Sequence, residues 1–302
     1  MAVRVFPADG GAQTDLLQNR AMSRTRSFVL TLLAMLAFAG NSLLCRAAFH
    51  ASGIDAASFT TLRIVAGALV LGMIVRLRRR GHEPAGSWAS ALALFAYAAA
   101  FSFAYVSLTA ATGALLLFGA VQATMIGFGL FKGERLRAWQ VAGLACALGG
   151  LIGLLLPGLS APPLQGSALM LGAGVAWGVY SLRGKGGGDP LRVTAGNFGR
   201  AVAFALVLSA ATLPWASLDR AGVGYAVASG AVASGIGYAI WYTALPGLKT
   251  TSAATVQLSV PVIAALGGIT LLGEAPTLRL LVASVAILGG IALVIVDKRP
   301  AQ

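Results

Sequence analysis

Charge is the scarcest property of this chain. Only 10% of its 302 residues are charged, 58% are hydrophobic, and just 9 are acidic. Soluble domains carry about 25% charged residues, so this sequence has too few to clothe a water-facing surface. The acids (Asp9, Asp15, Asp55, Glu83, Glu134, Asp189, Asp219, Glu274 and Asp297) lie between apolar runs, never in the middle of one. Neither histidine, His50 or His82, sits mid-run. Without acids or histidines there, no catalytic set, metal centre or cofactor is expected in the apolar body, and the chain does not read as an enzyme. Cysteine is limited to Cys45 and Cys146, both inside apolar runs. They are expected to be buried packing thiols, not a disulfide or metal pair. Gly184-Lys185-Gly186 is no phosphate loop, because Val179 and Gly186 occupy the positions where Gly and Ser or Thr are required.

What the chain has in quantity is apolar length. Its mean hydropathy is +0.83, and runs of about 20 apolar residues, enough to cross about 30 Å of hydrocarbon, recur along it. Breakers divide it into ten expected spans: 28–49, 58–75, 87–108, 109–131, 138–156, 165–182, 193–213, 221–245, 250–272 and 277–296. The fold class is therefore all-α and polytopic, with ten transmembrane helices, short Gly- and Pro-marked connections and no room for a second domain. Arg24, Arg26 and the apolar stretch ending in Ala37-Phe38-Ala39 have the outline of a cleaved signal peptide. The run continues through Phe49, however, and retention as the first helix is expected, preceded by a cytoplasmic tail over residues 1–27.

The net charge of +13 does not form a basic face, so nucleic acid is not an expected partner. The basic residues sit in alternate connections: Arg24 and Arg26, Arg76–Arg80, Lys132–Arg137, Arg183–Arg192, and Lys298 with Arg299. Only Arg46, Arg63, Arg220 and Arg279 fall towards the other surface, which places both termini in the cytoplasm. The lipid bilayer is the expected surrounding partner.

The chain also repeats itself. Segment 63–71 aligns with 200–208, differing only where Ile64 meets Ala201 and Gly67 meets Phe204. In the same order Arg46 pairs with Arg183, Tyr105 with Tyr242, and Gly133-Glu134 with Gly273-Glu274. This divides the chain into repeats over 28–157 and 165–297. Five spans in each make the second enter the membrane inverted, the arrangement many carriers use to build two gates around one midplane site. One inverted pair is complete in itself, so a monomer suffices.

Two five-span repeats, an arginine early in each second helix, and a Gly-Glu between each fourth and fifth helix resemble the drug/metabolite transporter superfamily, EamA branch. The aromatic-rich middle helices are most similar to YddG-type exporters of aromatic and other neutral amino acids. The resemblance implies a bacterial inner-membrane exporter with a central cavity between the repeats and a small-molecule substrate. Proton-coupled drug exporters use an intramembrane carboxylate. None is present here, so uncoupled, facilitated movement of a neutral or zwitterionic solute by alternating access is expected. The scarcity of mid-span cations argues against dicarboxylates and nucleotide sugars.

Local physics accounts for several motifs without a substrate. Gly133 and Gly273 suit left-handed helix caps, with Glu134 and Glu274 opening the following helices at their positive ends. Arg63 and Arg200 are close enough to helix ends to snorkel. The expected substrate-binding set is Asn41, Tyr97, Phe101, Gln122, Trp177, Tyr180, Tyr238 and Gln257. Tyr97, Phe101 and Tyr105 follow an i, i+4, i+8 stripe, and Tyr238 with Tyr242 repeats it. The amides need partners in lipid, which helix neighbours or cargo could supply. Tyr105, Tyr242 and Pro261 are the expected gate and hinge residues: the two tyrosines also suit an interfacial belt, and the proline breaks a backbone bond within the ninth span. Two other functions stay open, a carrier of the same fold for another metabolite or drug, with or without proton coupling, and a membrane protein that does not transport.

Overall fold

A computed structural model describes residues 24–78, 85–133, 135–158, 161–184, 189–248, 253 and 256–296, and every regular element among them is helical. The helices are α1 (Arg24–Ala51), α2 (Ala56–Leu77), α3 (Trp88–Tyr105), α4 (Ala110–Phe131), α5 (Ala138–Leu155), α6 (Leu164–Arg183) and α7 (Pro190–Ala211), followed by α8 (Arg220–Gly247), α9 (Ser259–Leu272) and α10 (Leu278–Val296). α1 begins at Arg24, inside the expected tail; the rest of that tail, Glu134 and Lys185-Gly186 lie outside the described residues. Eight of these helices are long and apolar enough to cross a membrane. α6 is long enough, but Trp177, Tyr180, Ser181 and its glycines lower its hydropathy. α9 has 14 described residues, about 21 Å of helix.

The helix ends follow side-chain chemistry. Asp55, Ser87, Thr109, Asp189 and Asp219 cap the starts of α2, α3, α4, α7 and α8 by accepting first-turn N–H bonds. Pro190 at the start of α7 sacrifices no helical hydrogen bond. Gly273 ends α9 at φ 67°, left-handed backbone that a side chain would resist. The Asp55 carboxylate also accepts from Ser217 N at 2.9 Å, tying the α1–α2 and α7–α8 connections together at one end of the bundle (the upper end).

α2 packs on α7, α5 on α10, and α4 on α9; α3 meets α6 while α1 meets α8, and α4 meets α6 while α1 meets α9. Glycine permits close approach at the α5–α10 pair: a Cβ at Gly143 of α5 would lie 2.7 Å from the carbonyl oxygen of Gly290 on α10. The periphery is apolar, with Leu69, Val207 and Val285 exposed at 69%, 69% and 76%. Continuous exposed hydrocarbon of this kind suits lipid, not water. Cys45 is buried, but Cys146 is on this exposed surface, which corrects the expectation of two buried thiols. An apolar run does not reveal which of its faces turns inward.

One irregularity positions the site. The middle of α8, Ser229–Ile236, is a π-helix, a wider turn that is rare and recurs at functional sites. Its Gly230 lies against α2 so closely that a Cβ there would collide with the carbonyl oxygen of Arg63.

Candidate functional site

All eight expected substrate-binding residues line one cavity of about 450 Å³: Asn41, Tyr97, Phe101, Gln122, Trp177, Tyr180, Tyr238 and Gln257. This size is in the range typical of small-molecule sites. The stripe on α3 directs Tyr97 and Phe101 inward, and the turn of α8 after the π-helix contributes Tyr238 and Tyr242.

Aromatic rings form one continuous wall. Trp177 stacks on Tyr180 with centroids 5.2 Å apart and on Tyr238 at 5.7 Å, and its ring tilts against Tyr97 at 4.8 Å. Phe38 meets Tyr238 at 5.6 Å and Trp241 at 6.1 Å. Such offset and edge contacts favour packing of another flat apolar group. Polar groups interrupt the wall at two places. Ser229 donates to Asn41 Oδ1 at 2.6 Å, and Asn41 Nδ2 donates to the Tyr97 hydroxyl at 3.3 Å. Farther along, Asn197 donates to Tyr180, Tyr180 to Thr194 and Thr194 to Tyr242, at 3.4, 3.5 and 3.1 Å. Among the described residues no three His, Cys, Asp or Glu side chains converge as metal ligands.

The ends of the cavity differ. Gly184, Pro190 and Leu245, at the ends of α6, α7 and α8, line it towards the lower end of the bundle. At the upper end, Arg46 Nε meets Glu274 Oε1 at 3.0 Å, and Glu274 Oε2 accepts from the backbone N–H of Ala110 at 2.9 Å. The expectation that Glu274 opens its own following helix is corrected: α10 begins at Leu278, and the carboxylate serves the N-terminus of α4 instead. Glu134 lies outside the described residues.

Tyr105 is completely buried beneath this ion pair, with its hydroxyl donating to Ala110 O at 3.3 Å. An interfacial-belt position for Tyr105 is thus overturned, because the α3–α4 turn folds the ring inward against Gly113. Of the other two expected gate and hinge residues, Tyr242 lines the cavity, whereas Pro261 is buried in the first turn of α9 just after a break at Leu258.

The two arginines early in α2 and α7 part company. Arg200 reaches backbone carbonyls, donating from Nη1 to Ala85 O at 2.7 Å and Gly196 O at 3.0 Å. Arg63 does not snorkel, contrary to expectation. It is 4% exposed, with its guanidinium carbon 4.9 Å from the Phe101 ring centroid and 5.8 Å from that of Tyr97. It begins about two turns into α2, and its side chain turns to the bundle axis, where the rings of α3 hold it. Other wall residues missed by sequence reasoning are Phe38, Thr194, Asn197, Ser234 and Trp241. Asn197 and Thr194, polar residues within an apolar run, carried a usable signal; Phe38 and Trp241 looked like any lipid-facing aromatic.

Comparison with known proteins agrees with this architecture. The model of the EamA-like transporter family matches residues 164–296. An uncharacterized protein of Pseudomonas aeruginosa is 61% identical over 254 residues, 84% of this chain and 88% of its own length. The threonine/homoserine exporter RhtA of Salmonella typhimurium is 34% identical over 121 residues, covering 38% of this chain and 39% of that protein. A crystal structure with 21% sequence identity superposes with a TM-score of 0.63, covering 92% of this chain and 100% of the other, a likeness of fold. With its helical membrane architecture and central cavity, the chain carries an EamA-like transporter domain over residues 164–296.

Proposed function

We propose that this transporter exports aromatic and other neutral amino acids, or related amphipathic metabolites, across a bacterial inner membrane by uncoupled alternating access. The observation that carries this reading is the wall of Tyr97, Trp177, Tyr180 and Tyr238, broken by Asn41, Gln122 and Gln257. Rings suit an apolar side chain, and amides and hydroxyls suit a polar backbone end. Ten spans form two five-helix repeats, 28–157 and 165–297, of opposite orientation. Exchanging each helix of one half with its counterpart in the other maps the packing pairs onto one another, which supports that division. Both termini are cytoplasmic, because the lower end carries Arg76, Arg78, Lys132, Arg135, Arg137, Arg183 and Arg192. The cavity then opens to the cytoplasm, while Arg46, Glu274 and Tyr105 close the outer side, with Tyr242 at the inner gate and Pro261 as a hinge.

Partial similarity to a threonine/homoserine exporter favours amino acids as cargo and admits small hydroxylated ones as a second class. Uptake into proteoliposomes with labelled phenylalanine, tryptophan and threonine, without an ion gradient, tests both. Saturable equilibration of the aromatic pair is expected. Transport of threonine alone would replace the aromatic cargo, and uptake only under a proton gradient would sink the uncoupled mechanism.

A further inference from the structure

Arg63 is a buried cation left without an anion. Its Nη1 has no hydrogen-bond partner, and only 4% of the residue is exposed. The one ion pair among the described residues joins Arg46 to Glu274 and leaves Arg63 out. Buried charges are ordinarily paired, and an unpaired one in an apolar interior carries a desolvation penalty that cation–π contacts offset only in part. Arg200, its counterpart in α7, bonds to carbonyls, so such an arginine can be satisfied structurally when that is its role. Arg63 instead stands behind Tyr97 and Phe101, both of which line the cavity, and beside the π-helix whose Ser229 holds Asn41. An ionised side chain at this depth in a membrane protein marks a ligand path.

We propose that Arg63 is the anion anchor of the site, taking the carboxylate of a monocarboxylate with an apolar or aromatic body once the Tyr97 and Phe101 rings part. A single guanidinium neutralises one carboxylate, and its planar fork matches one bidentately. Two hydroxyl and amide groups, Tyr97 OH and Asn41, stand at the same end of the cavity to share the second oxygen. The proposal rests on the amino-acid reading of the cavity and sharpens it, because a zwitterion supplies such a carboxylate. It also predicts recognition of the acid with no amino group present.

The decisive experiment measures binding rather than flux. Thermal stabilisation of the purified full chain would be titrated with 3-phenylpropanoate and with its uncharged isostere 3-phenylpropanamide. Wild type should prefer the acid by about 10- to 100-fold, the range for a hydrogen-bonded charge. Arg63→Gln should bind both alike, at the amide's wild-type affinity, and Arg63→Lys should keep the preference in weakened form. Equal binding of acid and amide by wild type would overturn the proposal, a result that requires no variant to fold. So would an Arg63→Gln protein that melts cooperatively and still prefers the acid, because Arg63 would then be structural. A parallel flux assay separates the two readings. Acid-selective binding without amino-acid transport would remove the cargo class and leave the anchor, whereas amino-acid transport without acid selectivity would do the reverse.

Discussion

Replacing Glu274 by Gln should loosen the upper end of the bundle and leave the helices intact. The carboxylate bonds to Arg46 Nε at 3.0 Å and to the N–H of Ala110 at 2.9 Å, and both ion-pair partners are mostly out of water, with side chains 17% and 11% exposed. Hydrogen bonds to charged groups contribute about 1.5–3 kcal/mol each. An amide keeps one acceptor but turns its NH2 towards a donor, so about one such bond is lost and the second weakened. A net shift of about 2–3 kcal/mol would change the ratio of closed to open upper ends by about 30- to 150-fold. Cys45, fully buried beside Arg46, is a built-in reporter. In a Cys146→Ala background, its labelling by a membrane-impermeant maleimide added from the side that the upper end faces should accelerate by that order. Arg46→Gln should act similarly, and the double variant should show much less than the sum, because both remove one interaction. Unchanged labelling in a protein of unchanged melting temperature would refute the reasoning, reducing Glu274 to a helix cap.

Trp177→Ala removes three ring contacts, at 4.8, 5.2 and 5.7 Å, and ring pairs are worth about 0.5–1.5 kcal/mol each. Cargo affinity, measured by equilibrium binding, should fall at least about tenfold, and unchanged affinity there and in Tyr97→Ala would displace the site. Gly113→Ala would set a Cβ 2.6 Å from a carbon of the Tyr105 ring, whereas Gly40→Ala meets nothing within 4 Å. Overpacking of the first kind costs about 1–3 kcal/mol, so melting in detergent should separate the two variants clearly. Burial pushes the Asp55 carboxyl upward, but the bonds it accepts from Ser58, Ser217 and Ala57 outweigh this and hold its pKa below the ordinary value. A lowered folded pKa contributes stability that is present at neutral pH and is lost as pH falls through the acid range below about 4. Asp55→Ala should therefore destabilise by about 0.5–2 kcal/mol at pH 7, with the gap narrowing in acid denaturation.

The membrane-embedded helical class and the candidate cavity were legible because both rest on local composition. Apolar runs interrupted by Gly, Pro and basic residues mark helices and connections, since hydrocarbon demands that each backbone segment satisfy its own hydrogen bonds. The cavity residues stood out because tyrosine, tryptophan, asparagine and glutamine in mid-run carry groups that lipid would leave unpaired. Periodicity put Tyr97 and Phe101 on one face of α3, and both reach the cavity.

Tertiary structure alone decided what each helix face and each charge meets. In a run that is apolar all round, nothing local distinguishes the lipid-facing Cys146 from the buried Cys45. Segments 63–71 and 200–208 are nearly the same, yet Arg200 finds backbone carbonyls and Arg63 finds the rings of α3. Glu274 looked like the cap of its own following helix and became the partner of Arg46 and Ala110, far away in the chain. The π-helix at Ser229–Ile236 has only glycines for a sequence signal, and its wider turn depends on close approach to α2. Composition and period dictate what a segment does with its solvent. Partners of a buried charge or ring are set by packing between segments remote in sequence, and in this protein those partners make the site.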